Sequence, residues 1–166
     1  MYNITNSDID EAIEQVNSAM TIKGPIIGYS IAFCGKNIEN RTRKIKDGWY
    51  ALHVGGSKSV TLKHMVIYSL IDKYNEEDLP PTKSIIGCFK IEGYITQSNN
   101  PWFFGPIGSN IVKYIHFENP IRNLPGHQSI TYNLNTIEKK LFKKNGKYDV
   151  RIRAKIINEL KKQLKN

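Results

Sequence analysis

"KNIENRTR", Lys36 to Arg43, and "WYALHVGGSK", Trp49 to Lys58, decide how this chain folds. Both read as strands, separated by a turn at Gly48. In the second stretch, Tyr50, Leu52 and Val54 share one face and Trp49, Ala51 and His53 the other. In the first, Asn37, Glu39, Arg41 and Arg43 face one way and Ile38 and Asn40 the other. A single carboxylate, Glu39, thus stands among Lys36, Arg41 and Arg43, just upstream of Trp49 and His53.

Working outward, Pro25 suits a first helical position and Gly35 a helix end, so Ile26 to Cys34 is expected as a short buried helix. "SDIDEAIEQVNSAM" is expected to open the chain as a helix, with Ser7 as N-cap and Ile9, Ile13, Val16 and Met20 at helical spacing. Downstream, Thr61 to Tyr74 has helical periodicity and the prolines at 80 and 81 close it. "SIIGCFKIEGYI" is a strand whose alternation groups Ile85, Phe89, Ile91 and Ile95. After the turn-rich loop "TQSNNPWFFGPIGS" come two more strands, "NIVKYIHFE" and "QSITYNL". "VRIRAKIINELKKQLK" ends the chain as an amphipathic helix with Ile152, Ile156, Leu160 and Leu164 in line. At least five short strands with helices between some of them indicate an α+β domain built on a small, strongly curved sheet or barrel.

The 166 residues are 40% hydrophobic and 23% charged, which suits one domain with a real core and argues against wholesale disorder. No apolar run approaches the ~18 residues of a membrane span, and "MYNITNSDID" does not read as a secretory signal, so an intracellular protein, cytoplasmic or nuclear, is expected. Cys34 and Cys88 sit in apolar stretches and read as buried free thiols. Two cysteines and four scattered histidines offer no metal-ligand spacing, and no cofactor is implied. The net charge of +9 is unevenly placed: residues 136–166 hold eleven Lys/Arg and three Asp/Glu, a balance of +8, and the other 135 residues hold 13 and 12. A basic tail of this kind can hold nucleic acid loosely, and it can equally be the solvated face of a helix packed on the domain.

The order of these pieces resembles the ASCH domain, a branch of the PUA-like superfamily of small β-barrels. The resemblance runs through most of residues 21–134: "TIKGPIIGYSIAFCGKNIENR", "DGWYALHVGGSK", "SIIGCFKIEGYI", "PWFFGPIGSNIVKYIHFENPI" and "GHQSITYNL". It implies a PUA-like barrel over 21–135, an N-terminal helical extension over 1–20 and a basic C-terminal helical extension over 136–166. It also implies RNA binding, or capture of a single modified base, in a cleft beside the barrel. Some family members resemble N4-acylcytidine amidohydrolases, with a Lys at a Gly-x-Lys turn and a Thr three residues on, and others resemble ribonucleases. Here the Lys position is Lys36, but the Thr position holds Glu39, a departure from the amidohydrolase pattern.

The expected cleft comprises Lys36, Glu39, Arg41, Trp49, His53, Ser57, Lys58 and Trp102. A carboxylate there can accept the exocyclic amine of cytosine or adenine, while Lys36 and Arg41 meet phosphate or carbonyl oxygen. Trp49 or Trp102 can stack on a base. The plainer reading makes Glu39–Arg41 an ion pair that pins the strand, and His53 a half-buried donor to a backbone carbonyl. Ser57 and Lys58 follow Gly55 and Gly56, whose permissive backbone suits either a phosphate or an ordinary turn. In "NNPWFFG", Trp102 is expected to cover the cleft, with Phe103 or Phe104 plugging the barrel.

Three functions follow as alternatives. The first is a binding module for RNA, single-stranded nucleic acid or a modified nucleoside. The second is a hydrolase in the same cleft, with Lys36 and Glu39 as catalytic residues. The third is a protein-interaction adaptor that docks a partner through its C-terminal helix. On the first reading, the tail after Asn135 is expected to contribute phosphate contacts and to be removable without unfolding the barrel.

Overall fold

A computed structural model describes residues 2–56, 62–71, 74–146 and 151–166, with side chains at 62–64 outside that description. The chain is α+β, with a curled six-stranded sheet that forms a half-barrel. Its elements are α1 (Asn6–Gln15), β1 (Ser18–Ile22), α2 (Pro25–Phe33), β2 (Ile38–Arg41), β3 (Gly48–Val54), α3 (Leu62–Leu70), β4 (Ser84–Ile95), β5 (Ile107–Ile121), β6 (Tyr132–Asn133), α4 (Leu134–Asn145) and α5 (Ile152–Lys161). The strand order is β2-β5-β4-β3-β1-β6. Among the described residues only β1 and β3 pair in parallel, with α2 and β2 between them in sequence.

The two faces of the sheet bury separate cores. The concave face gathers Met20 and Ile22 of β1, Ile38 of β2, Leu52, Phe89, Ile91 and Ile111, and α2 adds Ile27 and Ile31. Edge strand β2 and strand β1, which lie far apart in the strand order, thus feed one apolar cluster, as the curl of the sheet requires. The other face gathers Trp49, Ala51, Cys88, Ile115 and Phe117 under α1, α4 and α5.

The N-terminal helix differs from the sequence reading in both of its ends. Its cap is Thr5, which exchanges hydrogen bonds with Asp8 in a capping box, and not Ser7. It stops at Gln15, because residues 18–22 pair with β3 in register Ser18–Tyr50 to Ile22–Val54. Met20 sits at helical spacing from Val16, yet the pairing available to Ala19, Met20 and Ile22 outweighs that local preference.

The grouping of Ile85 with Phe89 and Ile91 is also overturned. Ile85 packs with the outer core and Ile86, Phe89 and Ile91 with the inner one. The β4–β5 register shifts between Ile85 and Gly87, which turns the strand over. Gly87 sits at the shift because a Cβ there would lie 2.3 Å from the Ile115 carbonyl oxygen.

The expected closing strand at 128–134 shrinks to Tyr132–Asn133, and α4 begins at once, capped by the Asn133 side chain on the Asn135 amide at 3.0 Å. The basic C-terminal segment is two helices, and its apolar residues Ile137, Leu141, Ile152, Ile156 and Leu160 are buried in the outer core, whereas Leu164 is exposed. Arg153 further donates to the carbonyls of Val16 at 3.1 Å and Ile13 at 2.8 Å, satisfying the C-terminal end of α1. Lysines 139, 143, 155 and 161 point outward. The segment is therefore part of the core and also a basic surface.

Candidate functional site at the seam of the half-barrel

The curl leaves a seam between edge strand β2 and strand β1, and a charged cluster crosses it. Lys36, only 1% exposed, donates to the Ile38 carbonyl and stands 3.7 Å from Glu39 Oε2. Arg41 Nε donates to Glu39 Oε1 at 3.0 Å, and Arg41 Nη2 donates across the seam to the Thr21 carbonyl of β1 at 3.1 Å. Glu39 is itself buried, so both of its oxygens face cations in a low-dielectric setting. Arg41 keeps 28% of its side chain exposed and is the member that solvent reaches.

The strand alternation read from the sequence positions these groups. Ile38 enters the inner core, and Asn40 latches the aromatic loop. Asn40 Nδ2 donates to the Trp102 carbonyl at 2.9 Å, and its Oδ1 accepts from the amides of Phe104 at 2.7 Å and Gly105 at 3.2 Å. The roles expected within this loop are exchanged. Trp102 is the buried plug of the inner core, and Phe103 and Phe104 are the partly exposed rings. The loop's backbone bonds explain the exchange, because they hold residue 102 inward and present the rings that follow it.

Trp49 does not join the cluster. It lies on the opposite face of the sheet, 3% exposed, in the outer core, and its indole donates to Glu11 Oε1 at 2.9 Å. A stacking role is replaced by a packing one. Trp49→Ala should lower stability by about 3–5 kcal/mol and leave base affinity of the remaining folded protein unchanged, as paired melting and binding curves would show.

His53 is fully buried rather than half-buried. Its Nε2 donates to the Leu124 carbonyl at 2.8 Å, which leaves Nδ1 of the neutral ring to accept from Thr21 Oγ1 at 3.1 Å. Tyr132 OH then donates to Thr21 Oγ1 at 2.7 Å. Gly126 makes room for this chain, since a Cβ there would lie 2.9 Å from His53 Cε1. Burial holds the His53 pKa below its ordinary value, against the pull of the Leu124 carbonyl, and the Lys140 ammonium lowers it further. A depressed histidine contributes stability above its unfolded pKa of about 6.5 that is lost as pH falls below it, because the unfolded chain then binds the extra proton. The melting temperature should therefore fall between pH 7 and pH 5, and His53→Gln should flatten that dependence.

Thr21, missed in the sequence, links the two groups: its carbonyl takes Arg41 and its hydroxyl takes His53. Asn40 and Tyr132 were missed as well. A threonine among apolar residues and an asparagine in a charged run carry no motif, since their partners lie up to 111 residues away. Ser57 and Lys58 lie outside the described residues. Among the described residues, no group of three or more His, Cys, Asp or Glu is placed to hold a metal ion, and no helix is long and apolar enough to cross a membrane. No protein-family model matches the chain, and no curated protein matches it.

Proposed function

We propose that this protein is an RNA- or modified-nucleobase-binding module of the ASCH, PUA-like kind, and that the seam between β2 and β1 receives an unpaired base. The observation that carries the reading is the Lys36–Glu39–Arg41 cluster at a place where no backbone ladder joins the two strands. Two cations flank one carboxylate, which favours an anionic or polar ligand over an apolar one. Arg41 supplies planar donors at the surface of the cluster, and Phe103 and Phe104 are partly exposed rings on the loop latched by Asn40, the neighbour of Arg41 in β2. The exposed lysines of α4 and α5 add a basic surface for the backbone.

The same geometry favours binding over hydrolysis. Lys36, the residue an amidohydrolase would use, is buried beneath Glu39 with its ammonium on the Ile38 carbonyl. The reading is tested with a panel of nucleosides and single-stranded oligonucleotides, scored for both binding and product. Arg41→Gln should weaken binding to the preferred ligand by about 1–3 kcal/mol while the protein still melts cooperatively. Unaltered affinity in that variant would remove the seam from the binding site.

A further inference from the structure

The hollow between α4 and the turns that flank β4 and β5 has a different character. Its volume is about 230 Å³, and Lys83, Asn123, Leu124, Pro125, Lys140 and Lys144 line it. Three lysines line it, one from the turn before β4 and two from α4, and no carboxylate is among its lining residues. Lys140 and Lys144 are one helical turn apart, and burial of Ile137 and Leu141 fixes the face of α4 that carries them. The Lys140 ammonium is already positioned by a 2.5 Å hydrogen bond to the Gly126 carbonyl, leaving two further donors for a ligand.

The backbone at this hollow supplies a second, independent observation. Lys83 and Asn123 have φ of 55° and 61°, and among the described residues they are the non-glycine positions with positive φ. Both line the hollow. They are stitched together there, because Leu124 N donates to Lys83 O at 2.8 Å and Lys83 N donates to Val54 O at 2.8 Å. A left-handed lysine is disfavoured, as is the convergence of three like charges. Such features persist where surrounding structure enforces them and gather at ligand sites.

We propose that this hollow is a phosphate-binding site. Lysine ammoniums are point donors suited to the oxygens of a phosphate, and a phosphate carries enough charge to offset their mutual repulsion. The group can belong to a nucleic-acid strand or be free in solution. The site is separate from the seam and does not depend on base recognition there.

The test is titration calorimetry and thermal melting with inorganic phosphate, at ionic strength held constant with chloride. A thymidine decamer with and without a 5′-phosphate is titrated alongside. Inorganic phosphate should bind saturably and raise the melting temperature. Lys83→Gln with Lys144→Gln should weaken that binding about tenfold or more. Preference for the 5′-phosphorylated decamer, lost in the variant, assigns the site to a terminal phosphate. Equal binding of both decamers, lost in the variant, assigns it to the diester backbone. Should the double variant melt lower without ligand, Lys144→Gln alone must weaken binding and Lys144→Arg must restore it. Absence of phosphate and decamer binding, or binding that these substitutions leave unchanged, overturns the proposal.

Discussion

Ending the chain at Asn135 should abolish cooperative folding. The cut removes Ile137, Leu141, Ile152, Ile156 and Leu160, all buried against the sheet and α1. Each such side chain is worth about 2–5 kcal/mol when reduced to alanine, and the whole domain is stable by only about 5–15 kcal/mol. The cut also strips α1 of Arg153, which serves the carbonyls of Ile13 and Val16, and of the mutual bonds between Asn6 and Lys165. Loss of a sharp melting transition and of dispersed amide resonances is the expected result. A truncated protein that melts as sharply and as high as the full chain would show that α4 and α5 are an appendage. Because the cut destroys the core, it cannot separate the tail's charge from its packing; charge reversal of the outward lysines can.

The second large effect is expected at Glu39. As an exposed strand pair, Glu39 and Arg41 would be worth about 0–1 kcal/mol. Their burial changes the magnitude. Glu39→Gln takes the carboxylate from Lys36, which is 1% exposed, and such a change to a buried pair costs about 3–5 kcal/mol. Arg41 is partly exposed, so its share of that loss is reduced by solvent. Removing both charges tests the cause. Lys36→Met combined with Glu39→Gln should recover much of the stability, since the double change leaves no buried ammonium without its carboxylate. Urea unfolding of the two single variants and the double variant measures the coupling. A Glu39→Gln protein within about 0.5 kcal/mol of the parent, the range of ordinary surface changes, would contradict the burial argument.

Local pattern was enough to read some of this architecture and not the rest. The alternation in Gly48–Val54 put Tyr50, Leu52 and Val54 on one face, where they share a core, and that in Ile38–Arg41 set Glu39 on the side of Arg41 and Ile38 on the other. It also put Trp49 and His53 on the other face, where both are found, but it could not show that helices cover that face. The covering residues come from both ends of the chain, α1 and α5, and no local signal joins them. β1 was hidden because Val16 and Met20 fall four apart, a spacing that a helix and a helix-then-strand share. Ile85 was misplaced because a two-residue period carries no sign of the register shift at Gly87. Trp102 and Phe104 exchanged roles because the Asn40 latch, which orients their loop, spans more than sixty residues.

The central claim is that the seam receives a base, and amide chemical-shift mapping tests it most directly. The full chain, labelled with nitrogen-15, is titrated with the nucleoside or short single-stranded RNA that binds best in the panel. The account predicts that the largest shifts fall at Arg41, at Thr21 on the far side of the seam, and through Trp102–Gly105, the loop that Asn40 latches to β2. Shifts confined to the lysine face of α4, with residues 39–41 and 102–105 unmoved, would contradict it.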